Sequence, residues 1–327
     1  MKPWIYLCFD FVMILALGRD AALAQAGTPA PVRTCELLHD RPADSTPLRY
    51  RGGRFFGIRA DNRRHLNGLV ALDQNCRVLF DRFLDHPEAS EVRIYAADSL
   101  DDGIVAAGWI QDRSGRTAGV IWMLSPDGEV RSVIRTNPFH GKDVAVDTQR
   151  RIWALGVDLE GHDQLTDLPI LQCFRADGVK LDEFLPRGSF PRKRAAPPAN
   201  VTNEGVPFLA AGDDRVVVYI PQHGEWIEVV PSTREVSRIP VPAPLDSRPL
   251  AAARSLPFRS GAMLSDGEVF GWFGERSLYQ LDRKSRSWVA RPKMEGLAFL
   301  AGANDTALVG LRRSRGGNPE ALWFPRP

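Results

Sequence analysis

The segment VAVDTQRRIWALG, Val144 to Gly156, reads as apolar strand, polar turn, apolar strand. It is not alone. LRYRGGRFFGIRA (48–60), IYAADSLDDGIVAAGWI (94–110), FLAAGDDRVVVYI (208–220), GAMLSDGEVFGWFG (261–274) and LAFLAGANDTALVGL (297–311) have the same form. Asp, Asn or Gly stands at nearly every turn, where positive φ and side-chain-to-backbone bonds are required. All but the last hairpin are followed by a second, with turns near Asn75, Asp127, Asp177, Thr233 and Lys284. The unit therefore holds four short strands and returns about every fifty residues.

A period of that size with four strands predicts an all-β fold, a six-bladed β-propeller of four-stranded antiparallel blades. The last unit is short: EALWFPRP supplies a third strand and no fourth. VRTCELLHD (32–40) precedes the first full unit and has no other role. Pairing it with the C-terminal unit closes the ring and removes exposed strand edges. Units such as KDVAVDTQRRIWALG…LPILQCFRADGVKLDEF resemble the six-bladed propellers of the NHL-repeat and gluconolactonase-like groups. The resemblance lies in the repeat pattern and spans the chain after its leader. Gluconolactonase-like enzymes hold a divalent cation in the channel through Glu, Asn and Asp, which the resemblance would imply here. The first unit here opens DSTPLRYRGG, with no Glu to match the early acidic motif of that group.

The leader is MKPWIYLCFDFVMILALGRDAALAQAG: Lys2, an apolar run, then small residues. Ala24-Gln25-Ala26 forms an A-x-A site, so residues 1–26 read as a secretory signal peptide and 27–327 as one propeller domain. The rival is an uncleaved anchor, although the run is shorter than the roughly 20 residues of a span. Periplasmic or extracellular export follows, and no later segment is long and apolar enough to cross a membrane. Export permits disulfides. Cys35 in the proposed closing strand, Cys76 at the start of an outermost strand and Cys173 leave one thiol over. A Cys35–Cys76 bridge is possible rather than expected, because outer strands of neighbouring blades usually splay further apart than a bridge spans. Cys173 reads as a buried strand thiol. Lys and Arg number 42 against 40 Asp and Glu. That balance supplies no basic face for nucleic acid. The protein is expected to be a monomer.

In a four-stranded blade the hairpin turns lie on one face and the longer links on the other. The links 156–169, 186–207, 240–261 and 312–320 hold nearly all the loop length, so the long-loop face around the channel is the expected ligand face. Residues leading into the innermost strands there include Arg93, His140, Lys142, Asp143, Asn203, Glu204, Arg259 and Glu295. Asp143, Asn203, Glu204 and Glu295 are the set that would suit Ca²⁺, a hard cation seeking six to eight oxygens. The plainer reading of the same residues, and the favoured one, is as strand-end caps and solvated loop residues. His140, Lys142 and Arg259 are the ligand-binding candidates in the strands. His162 in DLEGHDQLTD, and Arg192 and Arg194 in PRKRAAPPAN, are those in the loops. There is no G-x-S-x-G, P-loop or dinucleotide fingerprint. Trp109, Trp122, Trp153, Trp226, Trp272 and Trp288 recur in strand segments and read as packing between blades. The sequence thus favours a non-catalytic binding module for a protein, glycan or small ligand. A divalent-cation-dependent hydrolase of lactonase type is the alternative.

Overall fold

The computed structural model describes residues 29–37, 48–61, 63–158, 167–190, 207–245, 256–274, 277–312 and 319–326. The leader, and the calls on residues 38–47, 159–166, 191–206, 246–255 and 313–318, lie outside them. Strand β1 is Arg33–Glu36. It precedes a first quartet: β2 (Arg49–Arg51), β3 (Arg54–Asp61), β4 (Leu66–Leu72) and β5 (Val78–Phe83). The second comprises β6 (Ala89–Leu100), β7 (Gly103–Asp112), β8 (Thr117–Leu124) and β9 (Val130–Arg135). The third is β10 (Phe139–Val146), β11 (Ile152–Asp158), β12 (Pro169–Phe174) and β13 (Lys180–Pro186). The fourth is β14 (Phe208–Ala211), β15 (Val216–Ile220), β16 (Glu225–Val230) and β17 (Glu235–Pro240). The fifth is β18 (Phe258–Met263), β19 (Val269–Phe273), β20 (Ser277–Asp282) and β21 (Ser287–Ala290). The last strands are β22 (Phe299–Ala303), β23 (Ala307–Arg312) and β24 (Glu320–Pro325).

Each quartet is an antiparallel meander. The third, fourth and fifth are separate four-stranded sheets. The others join through single parallel contacts, Tyr50 with Gly302 and Leu66 with Val92. β1 pairs with β24, Arg33 opposite Trp323 through Glu36 opposite Glu320, and makes the last three strands a quartet.

The turns explain why these segments repeat. Asp73, Asp112 and Asp147 each accept, on one carboxylate oxygen, the backbone N–H groups two and four residues on. The residue three on has positive φ: Cys76 at 64°, Gly115 at 85° and Arg150 at 62°. A carboxylate at the turn's start therefore holds its backbone without a partner strand. Middle strands are buried on both faces, as in β4, β15 and β19, whereas the fourth strands β9 and β17 are mostly exposed.

Among the described residues, six buried apolar clusters form, and each straddles two quartets that follow one another. One of these joins the last quartet to the first, with Leu48, Tyr50, Phe55 and Leu72 against Val309, Leu311, Ala321 and Trp323. The first strands also meet in series, β6 with β10, β10 with β14, β14 with β18, β18 with β22, and β22 with β2. The architecture is all-β and propeller-like. No helix among the described residues is long and apolar enough to cross a membrane.

Cys35 and Cys76 form a disulfide with Cα atoms 6.1 Å apart. The sequence suggested that Cys76 begins an outermost strand. It lies instead in the β4–β5 turn, which reaches across to β1. Arg33 donates to Gln74 O and Asn75 Oδ1 of that same turn, at 2.6 and 2.7 Å, and its guanidinium lies 4.6 Å from the Trp323 ring. Cys173 is a buried free thiol.

Candidate functional site

Four of the first strands slip register by one residue against their second strands. The slips fall between Ile94 and Ala96, Gly141 and Asp143, Phe258 and Ser260, and Leu300 and Gly302. Tyr95, Lys142, Arg259 and Ala301 are therefore bulged out of the ladders. A bulge bends its strand and re-aims the extra side chain. In three cases a glycine of the second strand stands beside the slip: Gly108, Gly156 and Gly310; at the Arg259 slip the facing residues are Phe273 and Trp272. At two of the glycines the reason is a close backbone approach. A Cβ on Gly108 would lie 1.9 Å from the Arg93 carbonyl oxygen, and one on Gly156 would lie 2.0 Å from that of His140. In the fourth quartet Val218 faces Leu209 in regular register and no slip occurs.

The bulges of adjacent quartets meet. The Lys142 ammonium lies 3.6 Å from the centroid of the Tyr95 ring, within cation–π range. The Trp109 indole N–H donates to the Tyr95 hydroxyl at 2.8 Å. Tyr95 is 37% exposed and Trp109 half-buried. Among the described residues no carboxylate pairs with Lys142 or with the exposed Arg259. Glu91, nearby on β6, is paired with Arg93 at 2.6 Å. His140 is buried and its Nδ1 has no hydrogen-bond partner. Burial, and then the charge of Lys142, depress its pKa to about 3.

Nearer the hairpin-turn ends of the first strands lies a second group, made wholly of buried or half-buried charges. The Arg51 guanidinium is 2.9 Å from Asp143 Oδ1, and it donates to the Val144 and Leu209 carbonyls of the third and fourth quartets. Arg49 stands 3.9 Å from Asp143. Asp98 of the second quartet accepts from the backbone N–H of Val146 at 2.9 Å and of Ser99 at 2.7 Å. The Ser99 hydroxyl donates to the Arg51 carbonyl at 3.2 Å. Two guanidiniums and two carboxylates thus tie four quartets with no net charge. Burial raises the Asp98 pKa to about 6 against the pull of Arg51. Burial likewise lowers that of Arg49, against Asp143. For Arg51 burial is outweighed by Asp143 and Asp98, and its pKa rises.

The residues expected from sequence separate accordingly. His140, Lys142 and Asp143 are consecutive or nearly so on β10. Arg259 occupies the equivalent bulge two quartets on. Of the suggested calcium ligands, Asp143 turns its oxygens to Arg51 and to the Val144 N–H, and Glu295 is exposed. A carboxylate so paired does not fit a divalent cation. No three His, Cys, Asp or Glu side chains among the described residues are placed to hold a metal. Asn203, Glu204, His162, Arg192 and Arg194 lie outside the described residues. Sequence reasoning missed Tyr95, Arg51 and Asp98 and assigned Trp109 to packing. The glycines in AAGWI and ALGVD were the available signal for the bulges. Nothing local announces that Arg51 reaches Asp143.

No family model and no curated protein matches the chain. Solved structures do. A candidate exported protein from Bacteroides fragilis is 10% identical, with a TM-score of 0.55, over 90% of this chain and 94% of that one. The structure of U3-55K is 10% identical, with a TM-score of 0.54, over 91% of this chain and 100% of that one. The β-propeller domain of the trilobed protease from Pyrococcus furiosus is 13% identical over 86% of this chain and 79% of that one, with a looser TM-score of 0.45. At these identities the likeness is one of fold, and a fold of this kind hosts unrelated activities.

Proposed function

We propose that this chain is an exported six-bladed β-propeller, residues 27–327 after loss of the 1–26 leader. We propose that it serves as a monomeric binding module, using the long-loop face around its channel. The six clusters that link each quartet to the next, the last to the first among them, support a closed ring of six blades. The disulfide suits an oxidising compartment. One observation carries the binding reading: bulges at matching positions lift Tyr95, Lys142 and Arg259 out of their ladders. Loops and bulges on a rigid scaffold are where recognition groups concentrate. Deeper in, the acidic residue that a lactonase would offer to a cation is neutralised by arginine.

A thermal melt with EDTA and with added Ca²⁺, run beside a lactone-hydrolysis assay, tests the reading. Unchanged melting and no hydrolysis are expected. A melting temperature that falls with EDTA and returns with Ca²⁺, together with lactone turnover, would establish the hydrolase instead.

A further inference from the structure

Resting on that binding reading, we infer that the corner formed by Tyr95, Trp109 and Lys142, with Arg259 two quartets away, takes a carboxylate-bearing saccharide. Lys142 has no carboxylate partner among the described residues, so its ammonium is available to a ligand anion. Its three N–H donors are held in place by the ring of Tyr95 beneath it. The Tyr95 hydroxyl accepts from Trp109, which leaves its own proton to donate. Ammonium and phenol thus present donors on one side of the corner, and the half-buried Trp109 indole presents an aromatic surface beside them. A uronate ring carries both complements: a carboxylate for Lys142, and a C–H face that stacks on an aromatic.

An acidic peptide shares the charge but needs more. Peptide and protein partners are anchored by apolar and aromatic side chains in desolvated pockets. Large hydrophobic residues exposed among the described residues are Val32, Val78, Leu79, Val130, Val179, Leu181, Val236 and Val289, which lie on or beside fourth strands, and Leu245 in a link. Tyr95 is the exception, and its hydroxyl is already in a polar network. Among the described residues the corner is charged and aromatic, with no other exposed large hydrophobic side chain on its strands, which favours the saccharide. Matching glycines behind both bulges keep the two side chains in place: neither Gly108 nor Gly156 has room for a methyl group.

Isothermal titration calorimetry with oligogalacturonate and oligomannuronate tests this, using methyl-esterified oligogalacturonate as the uncharged control and oligoglutamate as the peptide control. At least one uronate oligomer is expected to bind. Its affinity should fall about tenfold or more on esterification and in Lys142→Met, and also in Trp109→Leu, with melting temperatures of the Lys142 variant near wild type. The inference is overturned if neither uronate oligomer binds, or if Lys142→Met and Trp109→Leu both bind as wild type does. Oligoglutamate binding that depends on Lys142, without uronate binding, would overturn the saccharide and leave the binding module standing. EDTA-sensitive lactone hydrolysis would remove the module itself. Should Lys142→Met melt early, Lys142→Arg, which keeps the charge, is expected to retain uronate binding.

Discussion

Two seams of this molecule solve the same packing problem differently. Between the fourth and fifth quartets, Phe208, Tyr219, Trp226, Phe258, Phe273 and Trp288 form a continuous aromatic wedge. Tyr219 meets Phe258 edge-on at 5.0 Å, and Phe273 meets Trp288 at 5.0 Å. The Tyr219 hydroxyl donates to the Val241 carbonyl at 3.2 Å, and burial pushes its pKa up to about 12. The seam between the last and first quartets is more aliphatic. It carries the Cys35–Cys76 disulfide and the Arg33 hydrogen bonds to the same turn. The first seam joins two stretches of chain already tethered by a link. The second holds β1, a four-residue strand that reaches β24 from the far end of the sequence. A strand so short gains little from burial and much from a covalent tie, so each seam has the fastening that its connectivity requires.

The largest expected effect breaks the aromatic seam. Phe258→Ala removes the ring common to the Tyr219, Phe273 and Phe208 contacts. It should lose about 3–5 kcal/mol in denaturant unfolding. Next comes the covalent seam. Cys35 and Cys76 are 41 residues apart, and Cys35→Ser with Cys76→Ser should lose about 2–4 kcal/mol in a non-reducing denaturant titration. Combining these changes sharpens the comparison. Distant seams should add to within about 0.5 kcal/mol, and a larger coupling would mean that the two are one cooperative unit rather than separate joints.

A third seam, between the second and third quartets, adds charge to burial, and pH separates its parts. His140 has a pKa near 3 when folded against an ordinary 6.5. The unfolded chain therefore takes up that proton first, and stability is lost as pH falls below about 6.5. Asp98 runs the other way, with a pKa near 6 against 3.8. Its contribution is full below pH 3.8 and is gone once pH passes about 6. In melts across pH 4–8, His140→Gln should flatten the acid limb. Asp98→Asn should gain on the wild type as pH rises from about 4 to 6. Parallel curves for all three proteins would mean that neither group titrates in this seam. The smallest effect is that of Lys142→Met, whose unfolding free energy should stay within about 0.5 kcal/mol of wild type.

The repeats were legible because their turns are chemical. Asp73, Asp112 and Asp147 stand where a carboxylate caps the backbone, whatever the strands do later. Pairing of the 32–40 segment with the short C-terminal unit followed from counting strands, and Arg33–Glu36 does lie on β24. The site was less legible. His140, Lys142 and Arg259 were reached as residues leading into first strands, but the bulges at Lys142 and Arg259 show only in the pairing with the next strand, against Gly156 in one case and Phe273 and Trp272 in the other. Asp143 looked available for a cation because Arg51, 92 positions earlier, gives no local sign of its reach. Cys76 looked remote from Cys35 because a turn was taken for a strand.

Cys173 sits near the end of β12, opposite Trp153, and burial pushes its pKa up to about 12. Disulfide exchange proceeds through a thiolate. At neutral pH this sulfur is therefore a silent bystander once β12 has docked. Cys35, Cys76 and Cys173 admit three pairings, and two of them need Cys173 to react before the third quartet forms. Oxidative maturation is in this sense a race that the fold decides: early packing of β12 leaves the Cys35–Cys76 bridge as the one crosslink open to these three cysteines.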